Sequence, residues 1–91
     1  MIGNGKKKGT TRFAYRPDAP VKQVSVAGSF TDWQPLRMRR QKSGDFVAVV
    51  PVRPGAHEYK FIVDNEWRVD PDNQAYAANP LGTVNSLLTV E

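Results

Sequence analysis

Trp33 and Trp67 stand out in this sequence because each sits in polar surroundings unusual for a core tryptophan. Trp33 lies in Thr31-Asp32-Trp33-Gln34-Pro35, and Trp67 lies between Glu66 and Arg68. An indole is a flat, rigid apolar surface with a polar edge, and it loses little rotamer freedom when a ligand packs on it. A pyranose ring offers an apolar C–H face between rims of hydroxyls. Stacked on an indole, it buries that face and leaves the hydroxyls free for hydrogen bonds. The competing reading puts one or both tryptophans in the core, where large aromatics usually go.

Short strands must position these side chains. Residues 11–15 alternate, with Phe13 and Tyr15 on the face opposite Arg12, and the run stops at Arg16-Pro17-Asp18-Ala19-Pro20, where proline lacks the ladder donor. Val24 and Val26 alternate with Ser25 up to Gly28. Residues 46–50 form a β-branched-rich run between Ser43-Gly44 and Pro51, and Pro54-Gly55 carries a type II turn signal. In residues 57–63, Tyr59, Phe61 and Val63 share one face, so Lys60 and Ile62 point the other way. Asp64-Asn65 makes a two-residue hairpin turn, since both residues tolerate positive φ, and leads directly into Trp67. Residues 70–82 read as a long loop and 87–90 as a final strand. No apolar stripe of helical period with a cap is present. Strands at this spacing predict an all-β sandwich or barrel, six to eight strands by roughly the usual sandwich count. Its core is expected to include Phe13, Val24, Val26, Phe46, Ala48, Val50, Tyr59, Phe61, Val63 and Val90.

Composition narrows the function classes. Ninety-one residues suffice for one domain and leave little room for a deep cleft. Residues 1–9, with Lys6, Lys7 and Lys8, read as a flexible basic arm and residues 10–91 as the domain. That arm has no apolar segment behind its lysines, so it is not read as a secretory signal, and no run approaches the roughly 20 apolar residues of a membrane helix. The absence of cysteine excludes disulfides, a cysteine nucleophile and a thiolate zinc site. These features lead us to expect a cytoplasmic protein that needs no cofactor or metal and contacts no membrane.

Other chemistries find less support. The single histidine, His57, has no Gly-x-Ser-x-Gly motif or ligand cluster beside it and reads as a strand-edge residue. Asp70 and Asp72 flank Pro71 as a nominal glycosidase pair, but in a chain without room for a cleft Asp70 reads as a turn residue and Asp72 as solvated. Gly3 and Gly5 belong to the arm, not to a phosphate loop. Arg37, Arg39, Arg40 and Lys42 form a basic stripe that admits nucleic acid, yet the net charge is only +4 and no RNA-binding signature accompanies it. Such a run more often protects a strand edge from aggregation, so nucleic acid is not expected as a partner.

Several segments in order carry a resemblance. The stretch Val26-Ala27-Gly28-Ser29-Phe30-Thr31-Asp32-Trp33 resembles the GSFNNW segment of glycogen-binding domains. Pro54-Gly55-Ala56-His57-Glu58-Tyr59-Lys60-Phe61-Ile62-Val63-Asp64 is similar to the family's PEGEHQYKFFVDG. Trp67, Asp70-Pro71 and Leu81-Gly82-Thr83-Val84-Asn85 follow, the last similar to LGTVNN. Four segments with matching order and spacing, over roughly residues 24–90, are far more specific than one motif. On these residues the chain resembles the family 48 carbohydrate-binding modules, or isoamylase early-set domains, which include the glycogen-binding domain of the AMP-activated protein kinase β subunit.

The resemblance implies an immunoglobulin-like early-set β-sandwich without catalytic activity. It implies a ligand of α-1,4-linked glucan, such as glycogen, starch or a cyclodextrin, and a tethered glucan-metabolising enzyme or kinase as partner. A protein-interaction sandwich that uses the same face differently is the alternative. Carried over by position, Trp33 and Trp67 match the stacking tryptophans, Lys60 a lysine bonded to glucose hydroxyls, and Leu81, Thr83 and Asn85 the contacts before the last strand. The residue types suit these roles: lysine brings three donors, and asparagine both donates and accepts. Two positions depart from the pattern. Asn65 stands where glycine is frequent, and Ser86 replaces an asparagine, which is expected to weaken one polar contact.

Overall fold

The computed structural model describes residues 2–5 and 8–91. Among them are ten strands and one 3-10 turn: β1 (Ile2–Asn4), β2 (Thr10–Tyr15), β3 (Val24–Gly28), the turn Ser29–Thr31, β4 (Leu36–Arg37), β5 (Arg39–Arg40), β6 (Phe46–Pro51), β7 (Gly55–Val63), β8 (Glu66–Arg68), β9 (Tyr76–Ala78) and β10 (Val84–Val90). They form two sheets, one in the order β1-β2-β6-β5, the other in the order β4-β3-β7-β10-β9 with β8 also on β7. Every pairing is antiparallel. The result is an all-β sandwich, and no helix among the described residues is long and apolar enough to cross a membrane.

The core lies between the sheets and follows the period-two pattern. Phe13, Val24, Val26, Phe46, Val50, Tyr59, Phe61 and Val63 are buried, while Ala48 and Val90 are partly buried against them. Tyr15, Met38, Val52 and Leu88 complete the cluster. Phe13 links the sheets: its ring stacks on Phe30 at 5.2 Å and meets Tyr59 edge-on at 5.3 Å. Such aromatic pairs stabilise by more than the area they bury.

The structure departs from the sequence expectations in strand number, ten against the six to eight expected, with the short β4 and β5 among the additions, and in four further places. Residues 1–9 are not an unstructured arm throughout, because Ile2–Asn4 pairs with β2, Ile2 opposite Phe13, and Ile2 packs against the core. Apolar burial of one side chain and a ladder on an open edge outweigh the poor strand propensity of Gly3 and Asn4; Lys6 and Lys7 lie outside the described residues. The loop over residues 70–82 contains β9, held by pairing with β10. Asp70 is not merely a turn residue but is completely buried. Ser86 is also completely buried, and its Oγ accepts a hydrogen bond from the Asp70 amide at 2.8 Å.

Candidate functional site

Alternation along β7 sets the site. Tyr59, Phe61 and Val63 face the core, so Glu58, Lys60 and Ile62 lie on the outer face. Along one side of β7, β10 pairs with Gly55 to Tyr59 and β8 pairs with Phe61 to Val63. Trp67 stands opposite Ile62. Extending the Ser86–Tyr59 register by one residue sets Asn85 beside Lys60. Three strands thus bring Lys60, Trp67 and Asn85 to one surface.

Trp67 is aimed by its turn. Asp64 and Asn65 both take left-handed φ, 47° and 71°, as a tight two-residue hairpin requires. The Asp64 carboxylate accepts the backbone N–H groups of Lys22 and Gln23, at 2.9 Å each, and this ties the turn to the chain before β3. Trp33 reaches the same surface from the opposite side. The 3-10 turn is closed by the Thr31 hydroxyl, which accepts from the Gly28 N–H and donates to the Gly28 carbonyl. Asp32 and Trp33 then turn left-handed, at 53° and 61°, with the Trp33 N–H donating to the Gly28 carbonyl at 2.9 Å. A bulky residue in that region costs on the order of 1 kcal/mol, which the surrounding bonds must offset. Only glycine fits at position 28, since a Cβ there would lie 2.5 Å from the Glu58 carbonyl oxygen and 2.7 Å from the Phe30 ring.

The third wall is the turn between β9 and β10, organised by Asn79. Its Oδ1 accepts the N–H groups of Leu81 and Thr83, its Nδ2 donates to the Thr83 hydroxyl, and Gly82 takes φ 83°. Leu81 projects from this turn 89% exposed. A buried network anchors the approach to it. The Tyr59 hydroxyl donates to Asp70 at 2.7 Å and accepts from Asn73, Asn73 also donates to the Leu87 carbonyl, and the Asp72 amide donates to Asp70. Burial pushes the Tyr59 hydroxyl above its ordinary range, and its bond to the Asp70 carboxylate acts in the same direction.

All six side chains singled out in the sequence line one open depression of about 640 Å³. Trp33 and Trp67 are 37% and 49% exposed, so each presents an indole surface to solvent. Lys60 is half-buried and Thr83 exposed. Asn85 is nearly buried, and its Nδ2 donates one hydrogen bond to Glu58 Oε1 at 3.0 Å, which fixes the orientation of the carboxamide. Glu58 and Asn79 also line the depression. Sequence reasoning missed both, although Glu58 is two residues from Lys60 and shares its face. Apolar platforms ringed by donors and acceptors suit a polyhydroxylated ring. A larger cleft of about 950 Å³ elsewhere is lined by paired charges, with Arg16 bonded to Asp45 at 2.7 Å and Arg68 to Glu66 at 3.0 Å, and has no comparable platform. No cluster of three or more His, Asp or Glu that could hold a metal occurs among the described residues.

Known proteins share this sequence pattern. A family model described as "Glycogen recognition site of AMP-activated protein kinase" matches residues 10–91. The chain is 39% identical over 70 residues to 5'-AMP-activated protein kinase subunit beta-1 of Sus scrofa, a match covering 77% of this chain and 56% of that one. It is equally identical over 70 residues to the Homo sapiens beta-1 subunit, covering 25% of it, and 37% identical to the Mus musculus beta-2 subunit, covering 26%. The matched stretch therefore spans between a quarter and just over half of these relatives. The crystal structure of maltogenic amylase from S. marinus shares the fold, with TM-score 0.75 at 22% identity over 90% of this chain and 13% of that one.

Proposed function

Because the chain belongs to the family of glycogen-recognition domains of AMP-activated protein kinase, we propose that its outer face binds α-1,4-linked glucan without chemically changing it. The observation that carries this reading is the convergence of Trp33, Trp67 and Leu81, from three separate elements, on one depression with Lys60, Thr83 and Asn85. A curved glucan lies across the depression with sugar faces on the two indoles. Lys60 donates to hydroxyls, the Asn85 oxygen accepts from them, Thr83 does both, and Leu81 packs against a sugar edge. An open, shallow site buries little area and desolvates hydroxyls at some cost, so one short oligosaccharide binds weakly. Many chains on a granule raise the apparent affinity through avidity. The role is to hold a partner enzyme at its polymer, a kinase or a glucan-metabolising enzyme in the cytoplasm.

Titration with β-cyclodextrin or maltoheptaose, followed by tryptophan fluorescence at low and high salt, tests this. We expect a saturable change that salt hardly alters, because the sugar is neutral. No change at millimolar sugar would overturn the reading and turn attention to a protein ligand for the same face.

A further inference from the structure

The basic stripe has a specific geometry. The chain crosses from the edge of one sheet to the edge of the other between β4 and β5, and there Lys22, Arg37, Arg39 and Arg40 line a second depression, of about 400 Å³, over the buried Met38 and Phe46. All four cations are exposed, and no carboxylate lines the depression. Among the described residues none of the four is ion-paired; the nearby Asp64 carboxylate is engaged by the backbone of Lys22 and Gln23. Edge protection calls for charge, but not for four like charges around one concavity.

This depression and the candidate site share no lining residue, but one cross-strand row runs from the first to the second. Arg37 pairs with Ser25, Ser25 with Ile62, and Ile62 with Trp67, so these residues form one cross-strand row. Ser25 and Ile62 lie on the outer face, since Val24, Val26, Phe61 and Val63 face the core. Three strand spacings of about 4.8 Å put the Arg37 backbone roughly 14 Å from that of Trp67. The intervening Ser25 is small. A neutral sugar has no use for a cationic pocket, whereas a phosphate monoester matches it, because guanidinium groups bind phosphate through two parallel hydrogen bonds.

We propose that the cationic depression at the sandwich edge is a phosphate site, and that its ligand is a phosphate monoester carried on an α-glucan whose rings lie on Trp33 and Trp67. This rests on the glucan reading above. The protein thereby distinguishes phosphorylated from plain glucan, with the tryptophans holding the polymer and the arginines reading its modification.

The test compares maltoheptaose with the same oligosaccharide bearing a phosphate monoester, at low and high salt, for the parent and for Arg37→Gln/Arg40→Gln. These two side chains are exposed, so the variant folds, and a melting curve checks it. We expect the phosphorylated sugar to bind about tenfold tighter at low salt, with the advantage shrinking at high salt. The double variant should lose the advantage and keep its affinity for the plain sugar. Arg37→Lys, which keeps the charge and loses the fork, should fall between. Equal binding of the two sugars by the parent would overturn the phosphate site and leave the glucan reading intact. An advantage that survives in the double variant would overturn its location. Failure of both sugars to bind would overturn both readings.

Discussion

At the scale of single residues, the depression combines two kinds of side chain. Trp33, Trp67 and Leu81 are apolar groups that the fold leaves in water, and each gains by being covered. Lys60 and Asn85 were legible because Tyr59 and Phe61 fix the phase of β7 and family motifs flank the rest. Glu58 was not: a carboxylate on a strand has no motif, and only the approach of β10 shows it holding Asn85. Ser86 misled for the opposite reason, as its neighbour Asn85 lines the surface while Ser86 turns inward to the Asp70 amide. Trp67→Ala should weaken glucan binding by about tenfold or more, since aromatic anchors dominate contact energy. Its melting temperature should stay within about 4 °C of the parent, because Trp67 is exposed. Calorimetric titration and a thermal melt separate the two effects, and parent-like binding would remove Trp67 from the site.

At the scale of elements, left-handed backbone is what aims the tryptophans. The four non-glycine residues with positive φ among the described residues fall into two adjacent pairs, Asp32-Trp33 and Asp64-Asn65. One pair contains the first tryptophan and the other immediately precedes the strand of the second. The hairpin was readable because Asp-Asn accepts this conformation at both turn positions. The reversal at Trp33 was not, since a tryptophan in that region follows from the closed 3-10 turn together with the close approach of Gly28 to the Glu58 backbone, which is tertiary. The edge strands β1, β4, β5 and β9 escaped for a related reason: two or three residues carry too little periodicity, and their partners create them. Gly28→Ala should destabilise the fold by about 3 kcal/mol, because its Cβ would press on a backbone oxygen that cannot move aside. A chemical denaturation curve reads this directly, and a shift of under about 0.5 kcal/mol would show that the turn relaxes freely.

At the scale of the whole molecule, one buried polar network joins the core to the wall of the depression between the tryptophans. Tyr59 and Ser86 from β7 and β10 fix Asp70 and Asn73, which set the path of the chain into β9 and on to the Leu81 turn. No sequence pattern announces this, because a carboxylate at zero exposure is tolerated only with its partners in place. Its pH signature follows from Tyr59. The hydroxyl is held above its ordinary value near 10, so the folded protein keeps a proton that the unfolded chain releases. The stability from this group is complete below about pH 10 and declines as pH rises beyond it. Tyr59→Phe should cost about 1–3 kcal/mol at neutral pH, by depriving the buried Asp70 of a donor, and should flatten the alkaline decline. Denaturation midpoints from pH 7 to about 11 test this, and parallel curves for parent and variant would dissociate Tyr59 from it.

The burial of Asp70 also bears on how the chain ages. Asp70-Pro71 is the kind of peptide bond that acid breaks most readily, because the aspartyl carboxyl attacks its own backbone carbonyl and expels the proline nitrogen. Here one carboxylate oxygen is held by the Tyr59 hydroxyl and the other by the Asp72 amide, so the attacking group is restrained within a dry interior. Mild acid should therefore cut the chain after Asp70 only as fast as the fold opens. Mass spectrometry of the fragments would then serve as a clock for unfolding, and cutting that outpaces the loss of structure would show that the carboxyl can still reach its neighbour.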